Sequence, residues 1–310
     1  MDWIIKKNEA SLTPFGSYPG ARTLEEHIKN GIIVIDKPSG PTSHQVDYWI
    51  KEILSLNKVS HGGTLDPRAS GVLVIALENS TKLMPIILSS RKEYVGIIHL
   101  HKDIERKRIA DIFKTLTGKV KQLPPVKSAV ARRVREREIY YVELLEIEGR
   151  NILFKIGTEA GFYVRRFADD LGKKLGMGAH LQELRRTKSG NFSEGSAITL
   201  QTLFSSLGNE EKMREVILPM ESIVEPIGKV VISDSAIENI CNGAPLAIGG
   251  IVRTESTINK GDWVTILSLK GELVAIGRAV LNSKEILEKN KGLAVKTDRV
   301  LVKKGTYPRF

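Results

Sequence analysis

One cysteine in 310 residues, Cys241, leaves no disulfide framework and no cysteine-rich zinc site. It follows an apolar helical pattern in IENICNGAP, so it reads as a small buried hydrophobe. The six histidines show neither HExxH nor paired ligand spacing, and no metal is expected. No apolar run approaches the roughly 18 residues that a bilayer span needs. The opening MDWIIKKNEASL lacks the long apolar core of a signal peptide, and the expectation is a soluble, intracellular protein. There is no GxxxxGKS/T loop and no GxSxG elbow, which argues against P-loop NTPases and elbow-type hydrolases. The Gly-x-Gly of LGKKLGMG has no fingerprint strand before it and reads as a helix terminus.

Acidic residues are the other shortage: 36 against 47 lysines and arginines, for a net charge of +11. Such an excess points to a polyanionic partner, nucleic acid first, with a solubility adaptation as the plainer alternative. Arginines mixed with tyrosine and phenylalanine in AVARRVRERE, YVRRF and LRRTKSGNF suit RNA through phosphate pairing and base stacking.

Residues 1 to about 27 read as an extended arm with turn formers in SLTPFGSYPG. GIIVIDKP (31–38) is a buried strand. Thr42 opens a helix with Gln45 as its capping-box partner, and Val46, Trp49, Ile50, Ile53 and Leu54 form the core face. GVLVIAL reads as a buried strand or the start of a helix, EYVGIIHLH as a strand, DIERKRIADIFKTLTG as a helix closed by Gly118, and NILFKIGTEAG with FYVRRFADDLGKKLG as strand, turn and helix. HLQELRRTKSGNF reads as a short amphipathic helix and basic loop. LPMESIVEPIGKV is a linker; beyond it KVVIS, GIVRTES, GDWVTILSL, GELVAIGRAVL and RVLVKKG predict a small barrel or sandwich, interrupted by helices in SAIENICNG and SKEILEKNKG.

HGGTLDP (61–67) is the stretch with chemistry in it. Two glycines allow close approach before a carboxylate, and Pro67 stiffens the chain after it. Asp66 is either a turn-former or a reactive group. Without a second carboxylate it does not make a glycosidase pair. It is suited to act as nucleophile or base beside an arginine, for which FYVRRF offers Arg165 and Arg166.

The segments GIIVIDKPSGPTSHQV, HGGTLDPRASGVLVIALENSTKL, QLPPVKSAVARRVREREIYYVELLEIEG and EAGFYVRRFADDLGKKLGMGAHLQELRRTKSGNF occur in the order of the TruB/dyskerin pseudouridine synthases, which the chain resembles over roughly 20 to 308. The stretch from KVVISDSAIENICNGAPL to KTDRVLVKKGTYP resembles the PUA domain, a small RNA-binding β-barrel. FGSYPG and LRRTKSG resemble the archaeal dyskerin branch, whose members are catalytic subunits of box H/ACA ribonucleoproteins.

The resemblance implies an α+β fold: a pseudouridine synthase domain with a mixed, largely antiparallel sheet and flanking helices, plus the PUA barrel. The implied division is an arm (1–27) packed on the PUA domain, a catalytic domain (28–227), the PUA domain (228–306) and a tail (307–310). By motif match Asp66 is the catalytic aspartate, Arg165 its partner and Tyr94 the tyrosine that stacks on the target base. His61, Leu184 and Lys37 are implied at the substrate, and Arg132, Arg133, Gly243, Ala244 and Pro245 at a guide RNA. The implied activity is RNA-guided conversion of uridine to pseudouridine in rRNA or tRNA, in an archaeal cytoplasm. The alternatives are a stand-alone tRNA T-loop synthase and a non-catalytic RNA-binding scaffold. Expected partners are a box H/ACA guide RNA, the substrate RNA, a small zinc-ribbon or hairpin protein, a β-barrel accessory protein and a kink-turn-binding ribosomal-type protein; no cofactor is expected. Three positions depart from the family pattern: Phe162 for threonine, Leu123 for arginine, and Gly249 for the proline of Pro-Gly-Ile.

Overall fold

Ile32, Ile33, Val34 and Ile35 are all at most 1% exposed, which fits a β-branched run placed inside a sheet rather than on its edge. They lie in the strand Gly31–Lys37. The computed structural model to which it belongs describes residues 2–10, 13–123 and 133–309. The chain divides into two units, one of Met1–Ile32, Ala76–Leu83 and Leu207–Phe310, the other of Ile33–Ile75 and Met84–Ser206.

The second unit is built on a mixed sheet. From Gly31–Lys37 the order runs through Ser70–Leu77, Ala179–Ser189, Lys92–Leu100, Asn151–Thr158, Arg135–Glu148 and Gly118–Gln122. Ser70–Leu77 is parallel to Ala179–Ser189, while the following pairs as far as Gly118–Gln122 are antiparallel. The helix Val164–Leu175 buries Val164, Phe167, Ala168 and Leu171 in a cluster with Ile98, Phe154 and Ile156 of the sheet. Gly176, at φ +77°, ends that helix as the LGKKLG reading expects.

In the first unit a seven-stranded sheet encloses an aliphatic cluster that includes Val230, Ile266, Val274 and Val295. Residues near the N-terminus join it: Trp3–Ile5 pairs antiparallel with Ile251–Glu255, and Lys270 Nζ donates to the carbonyls of Thr13 and Phe15.

Several sequence expectations need correction. HLQELRRTKSGNF is not a helix but the strand Ala179–Ser189 followed by a tight turn. Leu181 and Leu184 are three apart, which reads as helical. Opposite Lys92–Leu100, however, Leu184 faces Gly96, Glu183 faces Ile97, and Leu181 faces Ile98, so Gln182 is the extra residue of a β-bulge. The bulge reverses the alternation once and returns both leucines to one face. The arm is not wholly extended: Thr23 and Glu26 form a capping box on the helix Leu24–Lys29. The helix expected to close at Gly118 is Arg106–Phe113, and Gly118, at φ +98°, opens a strand instead. Trp49 is 40% exposed, at the edge of a helix face whose buried residues are Ser43, Val46 and Ile50. The expected linker is ordered: Leu218 and Pro219 pair with Ile32 and Gly31, and Met220, Ile223 and Val224 are buried. The last strand is Leu293–Val300, because its pairing with Leu273–Ala279 ends at Val300 opposite Ala275.

The expected capping box of Ser43–Ile53 is present: Gln45 N–H donates to Thr42 Oγ1 (3.1 Å) and Thr42 N–H to Gln45 Oε1 (2.8 Å). Thr42→Ala is expected to lower unfolding free energy by about 1 kcal/mol in denaturant titration. An unchanged midpoint would show that this helix does not depend on its cap.

Candidate active site

The HGGTLDP bend is fixed from both sides. A Cβ on Gly62 would lie 2.2 Å from Ile87 Cγ2, and Gly63 has φ +125°, so neither position accepts a side chain. Leu65, 3% exposed, anchors the bend; Ser43 Oγ takes its N–H at 2.9 Å and donates to its carbonyl at 3.1 Å. Lys37 Nζ donates to the carbonyls of Pro38 (2.9 Å), Pro67 (3.2 Å) and Ala69 (2.8 Å). Ala69 N–H closes a turn on Asp66 O at 2.9 Å, with Pro67 at the position a turn favours. Asp66 therefore stands on backbone held at Lys37, Ser43 and its own turn, with its side chain out in solvent.

The Asp66 carboxylate pairs with the Arg165 guanidinium, Nη2 to Oδ2. Both residues lie in the first turn after a constrained segment: Arg165 follows Tyr163, the N-cap of Val164–Leu175. Arg166, the other candidate, faces Asp169 and Asp170 at 3.9 and 3.6 Å. Both arginines are helical, so their separation is that of successive positions around a helix. Asp66 and Arg165 share a cleft of about 300 Å³ with Arg68, Leu181, Glu183 and Leu184. Two carboxylates, two guanidiniums and two leucines line a site with room for a planar ring and cations for a nearby anionic backbone.

Leu184 thus lines the cleft as expected. Tyr94 is not among the lining residues; it is half-buried, two residues along its strand from Gly96, the cross-strand neighbour of Leu184. His61 is turned toward the helix: Nδ1 lies 2.6 Å from Asp47 Oδ2 and Nε2 3.1 Å from Thr64 Oγ1. Among the described residues His44, Asp47 and His61 are a group with metal-ligand donors close together, which the sequence reading did not anticipate. Lys37, expected at the substrate, is 0% exposed and supports the bend from beneath. Arg132 lies outside the described residues; Arg133 is exposed just before Arg135–Glu148. In the other unit Gly243 (φ +86°), Ala244 and Pro245 join the helix Asp234–Cys241 to Leu246–Ala247. Pro245 lines a cavity of about 260 Å³ with Ser233, Asn239 and Gly249.

The basic run LRRTKSG is not a free cationic face. Arg185 pairs with Asp36 and Glu194, Lys188 faces Glu93 at 3.5 Å, and Arg186 is 1% exposed. Arg186 and Lys92 are residues that sequence reasoning missed, because a buried cation and a solvated one look alike in a motif. Phe162, the departure nearest the site, is 7% exposed and packs 6.3 Å from Phe167, centroid to centroid, inside the core. At Gly249, the departure in the PUA stretch, a Cβ would meet nothing within 4 Å, so packing does not require a glycine there.

Burial lowers the ammonium pKa of Lys37, with the Arg186 charge adding to the effect and Asp66 opposing it. Burial, reinforced by Arg186, lowers Lys92 to about 7.

Set beside known proteins, residues 51–164 match the TruB family pseudouridylate synthase N-terminal domain, 165–225 the tRNA pseudouridylate synthase B C-terminal domain, 228–301 the PUA domain and 1–47 the DKCLD (NUC011) domain. The probable tRNA pseudouridine synthase B of Methanocaldococcus jannaschii is 46% identical, covering 99% of this chain and 93% of that protein. Its counterpart in Pyrococcus furiosus is 47% identical over the same shares. A crystal structure of a Cbf5-Nop10-Gar1 complex superposes with a TM-score of 0.92 at 47% identity, covering 100% of this chain and 96% of that one. The structure of an H/ACA RNP bound to a substrate RNA containing 2'-deoxyuridine gives a TM-score of 0.90 at 45% identity, over 99% and 96%. The fold is that of an RNA-modifying isomerase. The chain belongs to the TruB/dyskerin family of RNA pseudouridine synthases, alongside its archaeal members, with an α+β synthase fold and a PUA domain.

Because folded Lys92 loses its proton near pH 7 and the unfolded chain keeps it to about 10.5, the folded state binds fewer protons between these values. Stability is expected to rise with pH across that window, by up to about 1.4 kcal/mol per pH unit from this group. Lys92→Met should remove that component in denaturant titrations at several pH values. Equal slopes in the two proteins would contradict the assignment.

Proposed function

We propose that this chain is the catalytic subunit of an H/ACA-type ribonucleoprotein and isomerises a guide-selected uridine to pseudouridine in rRNA or tRNA, with Asp66 as nucleophile. The observation that carries the proposal is the Asp66–Arg165 pair in an open cleft on a pinned bend. A uridine stacked in RNA is out of reach of such a cleft, so it must be extruded at a cost of a few kcal/mol. Asp66 then bonds the nucleotide, at the ribose or the uracil ring. The C1′–N1 bond breaks, the base turns, and a C1′–C5 bond replaces it; the bond to Asp66 breaks and frees the carboxylate, C5 gives up its proton and N1 takes one. Arg165 holds the carboxylate at one approach angle, Leu181 and Leu184 flank the ring, and Tyr94 is proposed to stack on the extruded base. The reaction is redox-neutral and needs no energy donor.

The guide is proposed to run over the PUA domain near Gly243, Ala244 and Pro245 and past Arg132 and Arg133. The proposed division of labour is an arm (1–27) on the PUA domain, a catalytic domain (28–227), a PUA domain (228–306) and a short tail (307–310). Nop10, Gar1 and a kink-turn-binding protein are the proposed partners, because the solved relatives carry the first two or the RNP itself. No helix among the described residues is long and apolar enough to cross a membrane; a cytoplasmic setting is the proposed one. The names of the curated relatives favour a second reading, direct action on tRNA without a guide.

RNA carrying tritium at uridine C5 tests the chemistry. The assembled wild-type particle should release label, and Asp66→Ala should slow release by at least about a thousandfold. Release at the wild-type rate from Asp66→Ala would remove the nucleophile assignment. RNA affinity should survive that change and fall steeply with salt, as phosphate neutralisation requires. Hairpins ending in ACA among the RNA that co-purifies would support guided action, and tRNA alone the second reading.

A further inference from the structure

Arg186 is the largest side chain in the molecule to be fully buried, at 1% exposure. A guanidinium taken out of water is costly unless its donors are satisfied and a counter-charge is close. Among the described residues its hydrogen bonds go to two backbone carbonyls, and the Tyr94 side chain is the neighbour that favours its charge, with no carboxylate among them. Nε donates to Val72 O at 2.7 Å and Nη2 to Gly63 O at 3.0 Å. Gly63 belongs to the catalytic bend and Val72 to the strand that leaves it. Tyr94 lies directly opposite Arg186 on the neighbouring strand, where side chains of a pair meet.

The backbone is shaped to bring this side chain in. Thr187 is the extra residue of a second bulge, between the pairs Glu93–Lys188 and Tyr94–Arg186. Gly71 lies so close that a Cβ there would come within 2.3 Å of Arg186 O. The site of a Gly63 Cβ is 3.7 Å from Arg186 Nη1. Arginine has donors only, so a hydrogen bond between this pair is one that the Tyr94 oxygen accepts.

We propose that Arg186 is a positioning residue for the isomerisation: one rigid guanidinium joins the bend that carries Asp66 to the hydroxyl of Tyr94 and sets their separation and the hydroxyl's orientation. Lysine cannot replace it, because a single ammonium does not span three acceptors in a planar fork. The proposal rests on the roles assigned to Asp66 and Tyr94.

The test is single-turnover tritium release by the assembled particle with Arg186→Lys, Tyr94→Phe and the double variant. Arg186→Lys should slow release by at least about tenfold while RNA affinity stays within about threefold. Placed on Tyr94→Phe it should slow release by less than about threefold further, since coupled residues are non-additive. The same slowing factor in both backgrounds, or a wild-type rate for Arg186→Lys, would overturn the proposal. Tyr94→Phe supplies a second measurement that needs no change at Arg186. It strands a buried guanidinium N–H, so Tm should fall by about 3 °C or more. An unchanged Tm would overturn the contact itself. A wild-type release rate for Tyr94→Phe would instead sink the role of the tyrosine, which separates that failure from a failure of the Arg186 proposal.

Discussion

A carboxylate on an open surface keeps one position only if the backbone beneath it has nowhere else to go. Here the constraint is the bend from Gly62 to Ala69. Leu65 is sunk into the core, Gly62 is pressed against Ile87, and Lys37 ties the carbonyls of Pro67 and Ala69 together from below. Asp66 can then be half exposed and still meet Arg165, which its own helix presents from the far side of the cleft. In solvent such a pair contributes little to stability, and its worth lies in geometry. The stable interactions are those of the bend; the Asp66 carboxylate is an exposed passenger on them.

The same bend explains why the interior of this unit is unusually cationic. Lys37, Lys92 and Arg186 are all buried, and each spends its hydrogen bonds mainly on backbone carbonyls around the site. Carbonyls in loops and at bulges have no ladder partner, and buried ones must be satisfied. A cation with several donors does this at one point, which a neutral side chain does less well. The penalty appears as the lowered ammonium of Lys92. It is tolerated where it fixes a functional loop, a pattern found at sites rather than in ordinary cores.

Much of this was legible in the order of residues. The run GIIVIDK, the Thr42–Gln45 cap, the strand in EYVGIIHLH and the reactive bend were readable from local pattern. Arg165 over Arg166 came only from family resemblance; the residues alone left it open. What stayed hidden was set by tertiary context. The Ala179–Ser189 strand hid behind two bulges, which give a strand the spacing of a helix. Trp49 carried the right period but sat at the rim of its face. Arg186 and Lys37 looked like RNA-facing charges, since the sequence does not say whether a cation in a motif points out or in. Tyr94 was read from the motif as a site residue, yet that it faces Arg186 depends on a cross-strand register that local pattern does not give.

The account turns on the extruded nucleotide meeting the carboxylate. Its most direct test is a crystal structure of the assembled particle with a substrate RNA whose target uridine carries a non-reactive 2′-deoxy or 5-fluoro group. The target base should lie in the cleft, its ribose C1′ or ring C6 about 3.5 Å from an Asp66 oxygen, with Arg165 still on that carboxylate. A target base left stacked in its RNA, or seated away from Asp66 while the guide is fully paired, would contradict the account.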